Sequence, residues 1–330
     1  MNRKQINPLK LILSVILAAA LLYFAFRRLD WREFFVGLVS TDWWYILLSL
    51  VAAFIALVFR AERWRALLLP INPAITRASV WHGSNLGNLL NIVIPGAGEF
   101  YRCGHVCGKV AGYDRTLGTV IMERLWDVLA IVVLLGVALF TNTGKLVPFF
   151  RENVIAPLLD TFNLSLWWVS AIIFGLIVLC VFAILHFRGR SRFFGRISES
   201  VKGIFEGFAA FARMPGKALF ILYTAGIWAM YILMTYFTLK AVPGVDNLTF
   251  SDSVFISAVG NIASVIPTPG NLGAYHYLVG LAISSIYLGS AVILPEPLLF
   301  ATLSHGSHAV LLIFLAFCSY LSLTLKNREK

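Results

Sequence analysis

Charge is what this sequence has least of. Asp, Glu, Lys and Arg make up 13% of its 330 residues, while apolar types make up 59%. Soluble domains carry about 25% charged residues. A solvated surface cannot be built from so little charge, which excludes a water-soluble globular protein. No Ser/Gly/Pro-rich linker and no soluble segment large enough to fold alone interrupts the chain, so 1–330 reads as a single transmembrane domain. Cysteine is scarce as well, with four in all. Cys180 and Cys318 lie in apolar runs, where small buried hydrophobes are ordinary. Cys103, His105 and Cys107 form C-x-H-x-C, which matches no common zinc spacing and lacks a second ligand pair. No metal or other cofactor is expected. A D-x-D or H-x-E-H-like cluster is also missing, so an enzyme is the least favoured class. No nucleic-acid module accounts for the net charge of +11. The basic residues are topology signals and anionic-lipid contacts instead.

Long apolar runs are present, at 8–26, 43–59, 116–140, 166–187, 217–239 and 298–325. Each approaches or exceeds the roughly 20 residues that cross a hydrocarbon core. The first has a basic start, but Arg27, Arg28 and Trp31 follow it rather than a cleavage site, so it reads as a retained helix. An amphipathic stretch at 31–39 then lies at the outer surface. Arg60, Arg63 and Arg65 mark the inner end of the second crossing. The basic segment 188–217 must be cytoplasmic by the positive-inside rule, and the charge-poor loop 141–165 external. That parity holds only if 79–94 dips in from the cytoplasm and turns back at Pro95. The returning arm, 99–110, is too polar for lipid and must be covered by other helices. The expectation is an all-α polytopic membrane protein with about six full crossings and two re-entrant hairpins. A cytoplasmic amphipathic helix falls near 197–211. Both termini are cytoplasmic and the chain sits in the inner cell membrane.

Two segments resemble each other. "SVWHGSNLGNLLNIVIPGAGE" starts at Ser79 and "SVFISAVGNIASVIPTPGNLGAYH" at Ser253. Both begin Ser-Val-aromatic and reach Gly-Asn, at Gly87-Asn88 and Gly260-Asn261. Both then run into Ile-Pro and a glycine-bearing turn: Pro95, Gly96 and Gly98 in one, Pro267, Pro269, Gly270 and Gly273 in the other. By the topology above they enter from opposite sides, which makes an inverted repeat with halves near 42–140 and 217–325. Short, Gly/Pro-broken segments in matching positions are the best sequence pointer to a transporter's binding site. Helix ends at such turns attract anions, phosphate above all. The helix after the second turn should begin near Leu272, with a phosphate near Asn261 and Gly270. Gly273→Ala should be milder than Gly270→Val, because it adds one methyl inside the new helix.

Charges also enter the membrane. Glu123 and Asp127 are four residues apart and share a helix face, and Arg124 can reach Asp127. A charge near a helix centre costs roughly 2.5–3.5 kcal/mol. These three must therefore face protein or water, with Glu99 and Arg102 of the first hairpin as their partners. The cluster either locks the hairpin in place or lines a cavity for a polar head group. His276, His305 and His308 are polar helix-contact residues or proton carriers.

The motifs "RAERWRALL", "IPGAGEFYR", "ERLWD" and "IPTPGNLGAYH" resemble those of the lysylphosphatidylglycerol synthase transmembrane region family, the flippase-like module. That family includes the membrane half of the multiple peptide resistance factor. The resemblance covers nearly the whole chain. Pro95, Glu99 and Arg102, in the order P-x-x-G-E-x-x-R, correspond to one family pattern, and Glu123, Arg124 and Asp127 to its E-R-x-x-D pattern. Its P-x-P-G-G-x-G turn falls on Pro267, Pro269, Gly270 and Gly273, with Asn271 replacing a glycine. His276 stands where many members have a glutamate, and His305 and His308 where many have an arginine. The family's soluble aminoacyltransferase domain has no counterpart in this sequence. The resemblance implies lipid translocation, with two inverted repeats and re-entrant hairpins. The expected ligand is a phospholipid or polyprenyl-phosphate-linked lipid, held by its anionic or phosphate head group. The alternative is a non-transporting subunit that docks a separate lipid synthase or glycosyltransferase; a homo-oligomer fits either reading.

The topology is testable directly. A cysteine at Asp114 or at Ser198 should react with an impermeant thiol reagent only from the cytoplasmic side. Labelling of either from outside would invert the charge argument on which the hairpin rests.

Overall fold

The computed structural model describes residues 8–107, 112–141, 216–264, 266–290 and 292–328, and among them there is no strand. These residues belong to one compact unit, 1–142 with 218–330, apart from the short lead-in to the helix at Lys217. The crossing expected at 166–187 and the amphipathic helix at 197–211 lie outside the described residues.

The chain opens with α1 (Pro8–Phe26) and α2 (Trp31–Val39), which meet at 88°. Asp30 starts α2 by accepting hydrogen bonds from the Arg32 and Glu33 amides. Next come α3 (Trp43–Leu68), α4 (Arg77–Val93), α5 (Ala97–Val106) and α6 (Tyr113–Thr141). The described chain resumes with α7 (Lys217–Ala241), α8 (Phe250–Ala263), α9 (Ala274–Leu288) and α10 (Pro295–Arg328). Among the described residues, four helices (α3, α6, α7 and α10) are long and apolar enough to cross a membrane. The bent α1–α2 pair makes up to five spans. Their outward faces carry large apolar side chains in the open, such as Val132 and Val133 on α6 and Phe314 and Phe317 on α10. Meanwhile Arg63, Glu123 and Thr238 are buried. Apolar outside and polar within is the arrangement that lipid, not water, stabilises.

Between these spans lie two helical hairpins. At 1.5 Å per residue, α4 is about 26 Å long, α5 about 15 Å, and α8 and α9 slightly over 20 Å. None reaches the roughly 30 Å of a hydrocarbon core. In the first hairpin Thr76 caps α4 by accepting from the Ser79 amide. The chain reverses at Pro95 and at Gly96, whose φ of 81° lies in the left-handed region. The two arms touch through glycine. A methyl group at Gly98 would sit 2.0 Å from the Gly87 carbonyl oxygen, and one at Gly83 would sit 3.0 Å from the His105 ring. The second hairpin starts from a capping box, in which Thr249 and Asp252 bond each other's backbone amides. There Gly260, the counterpart of Gly87 by motif, faces Tyr275 of the returning arm.

α6 and α10 each pack against both hairpins, and α3 packs on α4, α6 and α10. The two turns also meet: a methyl at Gly270 would lie 3.3 Å from the Ile92 carbonyl oxygen. The second turn departs from expectation in two respects. Its helix begins at Ala274, after a short 3-10 segment at Pro269–Asn271, rather than near Leu272. Gly273 has a φ of 80°, and a methyl there would lie 2.5 Å from the Ala18 carbonyl oxygen of α1. The ground for expecting Gly273→Ala to be milder than Gly270→Val therefore fails. It considered the new helix alone, and the obstacle is a neighbouring backbone.

Gly98→Ala and Gly273→Ala should each destabilise the protein by about 1–3 kcal/mol or more, since neither obstacle is a flexible side chain. Gly104, on α5, has open space where a methyl would go, so Gly104→Ala should be neutral or stabilising. Thermal melting of the three purified variants in one detergent checks this ranking.

Candidate functional site: a buried charge cluster beside a cavity

The charge cluster forms where α3, α5 and α6 meet. Glu123 of α6 is 1% exposed and holds one guanidinium on each carboxylate oxygen. Arg102 of α5 donates to one oxygen at 2.6 Å, and Arg63 of α3 to the other at 3.1 Å. Arg63 also reaches Asp127, one turn further along α6, at 2.7 Å. Arg124 closes the cluster by pairing with Glu99 and lying 3.7 Å from Asp127. The Arg102 guanidinium lies over the Trp64 ring at 4.6 Å, and the Trp64 indole N–H donates to Thr119. An indole face against a desolvated cation adds attraction without a second carboxylate.

The first turn supplies its own cap. Gly96 has no side chain to cap α5, so Asn91 reaches over and accepts from the Gly98 amide at 2.7 Å. Glu99 adds a negative charge in the first turn of α5, where the helix dipole favours it. Both groups stand where an external anion would otherwise approach that helix end. The second turn is held by α10: the Gly270 carbonyl accepts from His305 Nε2 at 2.7 Å. A carbonyl can only accept, so the His305 proton is on Nε2. His276 is buried, with its ring 5.2 Å from His305 and 6.0 Å from Phe26.

Beside the cluster lies a cavity of about 320 Å³. That is near the lower end of small-molecule sites, about 300 Å³. Arg60 of α3 and Arg124 and Asp127 of α6 form one side. α7 contributes Trp228 and Tyr231, and α8 contributes Asn261 and Ser264. Asn271 of the second turn, Tyr275 of α9, and Ser304, His305 and His308 of α10 complete the wall. Two pairs of these groups are joined by hydrogen bonds: Arg60 donates to the Tyr231 hydroxyl at 3.1 Å, and Tyr275 and Ser304 share one at 3.0 Å.

The structure thus brings together Glu99, Arg102, Glu123, Arg124 and Asp127, as the sequence indicates. Of the remaining candidates, Asn261 lines the cavity. Asn88, Pro95, Gly96 and Gly98 stay on the first hairpin away from its wall. Pro267, Pro269, Gly270, Gly273 and His276 shape the second turn behind it. Cys103, His105 and Cys107 do not converge: Cys103 packs with Trp64, Leu68 and Val80, while His105 stacks on Tyr101. Arg60 and Arg63 were missed. Reading the second crossing as 43–59 placed them at the inner surface, but α3 continues to Leu68 and Arg63 is fully buried. The available signal was their i,i+3 spacing, which puts both on one face of that helix.

Removing Arg63 should be costly. Arg63→Ala leaves Glu123 with one partner and strips Asp127 of its closest one, at about 3–5 kcal/mol. Replacing the charge pair together, as Arg102→Met with Glu123→Gln, should cost less than the sum of the two single changes. Melting temperatures of the double-mutant cycle measure that coupling; strict additivity would mean the 2.6 Å pair contributes nothing.

No solved structure matches the chain. It is 24% identical over 261 residues to a UPF0104 membrane protein of Pyrococcus horikoshii, covering 72% of this chain and 75% of that one. A family model described as the lysylphosphatidylglycerol synthase TM region matches residues 11–319. That match spans the first helix, both hairpins, the charge cluster and most of the last helix, and the chain belongs to the lysylphosphatidylglycerol synthase transmembrane region family.

Proposed function

We propose that the protein moves a lipid with an anionic or phosphate-containing head group across the cytoplasmic membrane, as a flippase-like translocator with both termini in the cytoplasm. The observation that carries this reading is the cavity. It bears guanidinium, amide and hydroxyl groups among apolar ones, and is built from helices whose outer faces are apolar. Lipid head groups are the polar cargo that a wall inside such a bundle would meet. The second broken hairpin lines it and the turn of the first meets that of the second, in line with the midplane sites of transporters built from inverted repeats. In this reading the repeat halves are 42–140 and 217–325, and each hairpin is re-entrant from its own side. The buried ion pairs of Glu123 then serve as the fixed frame, while the cavity groups of α3, α7, α8 and α10 contact the cargo. No chemical step is assigned to either.

Reconstitution tests the proposal. Purified protein is placed in vesicles containing a fluorescent phosphatidylglycerol, and a membrane-impermeant quencher is added outside. A translocator should expose the inner-leaflet probe within minutes, well above the rate in protein-free vesicles. Equal rates with and without protein would instead support a subunit that docks a separate synthase.

A further inference from the structure

Among the described residues, the cluster beside the cavity holds three carboxylates, Glu99, Glu123 and Asp127, against four guanidiniums, Arg60, Arg63, Arg102 and Arg124. One positive charge is left over, and the geometry shows whose it is. Arg63, Arg102 and Arg124 each pair with a carboxylate. Arg60 makes no ion pair among the described residues; its hydrogen bond goes to the neutral Tyr231 hydroxyl. Asp127 and Glu123 act on Arg60 only from a distance. Arg60 lies on the cavity wall, half-buried.

A second group points the same way. Trp228 is 9% exposed and also lines the cavity, and its indole N–H finds no acceptor. Buried N–H groups are nearly always satisfied, so an unpaired one on a cavity wall marks where a ligand acceptor belongs. His308 Nε2, on the same wall, is likewise buried without a partner. Taken together these are one guanidinium without an ion pair and one buried indole donor without an acceptor, both on residues that line a cavity of head-group size. They match the oxygens of a single phosphate.

The wall also discriminates against cations. Its only acidic residue among the described ones is Asp127, which is already held by Arg63 and lies near Arg124. An ammonium on the head group would find no free carboxylate and would sit beside two guanidiniums. Asn261, Ser264 and Asn271 offer amide and hydroxyl groups that suit neutral hydroxyls.

From this we infer that the cavity is a selective site for a phosphodiester head group bearing one net negative charge and a hydroxyl-rich remainder. Arg60 and Trp228 bind its phosphate, and zwitterionic and cationic head groups are disfavoured. The inference deepens the translocation reading and rests on it for the source of the phosphate, a lipid.

The test is binding by the full chain, purified in a neutral detergent. The probes are dioctanoyl phosphatidylglycerol, dioctanoyl phosphatidylcholine, dioctanoyl lysylphosphatidylglycerol and inorganic phosphate. Wild type should bind phosphatidylglycerol at least tenfold more tightly than either of the other lipids. Inorganic phosphate should compete only at far higher concentration. Arg60→Gln should lose at least tenfold for phosphatidylglycerol while changing phosphatidylcholine binding little, and Trp228→Phe should lose several-fold. Equal or tighter binding of the zwitterionic or cationic lipid overturns the inference, and that comparison needs no variant. So does an Arg60→Gln protein that melts like wild type and binds phosphatidylglycerol unchanged. Competition by inorganic phosphate at the concentration of the lipid would assign the site to free phosphate instead. Should Arg60→Gln fail to fold, Trp228→Phe and the wild-type comparison decide. Selective binding without movement in vesicles would refute translocation alone; movement without selectivity would refute this site alone.

Discussion

The Glu123 carboxylate is the point on which the rest of the bundle depends. Each of its oxygens is taken by an arginine from a different helix, Arg102 of α5 and Arg63 of α3. Burying such a charge is expensive, and the attraction repays it only when geometry is good and the other lone pairs are satisfied. Here the geometry does more than neutralise. It fixes the short arm of the first hairpin and the C-terminal part of α3 to the same stretch of α6. With α5 anchored, α4 follows through their glycine contact, and α10 then packs against α4.

The second hairpin is held by different means. It has no ion pair of its own to the cluster among the described residues. Packing and neutral hydrogen bonds place it: His305 to the Gly270 carbonyl, Ser257 to Thr235, and Tyr275 with Ser304. One hairpin is thus fixed by strong, directional charge pairs and the other by weaker contacts. The cavity lies between the two, with α3 and α6 on one wall and α7, α8, α9 and α10 on the other.

Much of this was legible in the sequence, for identifiable reasons. Low charge and long apolar runs announced a membrane protein. Three charges on one helix, Glu123, Arg124 and Asp127, could not face lipid, so partners had to exist, and Glu99 and Arg102 proved to be among them. Gly-Asn ahead of Ile-Pro in two places located both hairpins. What failed was of a different kind. Gly273 looked permissive because its constraint comes from Ala18, far away in sequence. Arg63 looked like a surface topology charge because a helix's end is poorly marked when arginine, itself a good helix former, follows the apolar run. The cavity groups Trp228 and Tyr231 lie within an otherwise ordinary apolar span, and only their neighbours give them meaning.

The glycine contact of the first hairpin has a mechanical consequence. With Gly87 and Gly98 in backbone-to-backbone contact, the spacing of α4 and α5 is set by main-chain atoms, which cannot repack as side chains do. Sliding one arm past the other by a turn would drive a side chain into the gap. Shear between the arms is therefore blocked, and the hairpin moves, if it moves, as one rigid body. Any hinge has to lie outside it and not at the Pro95 bend.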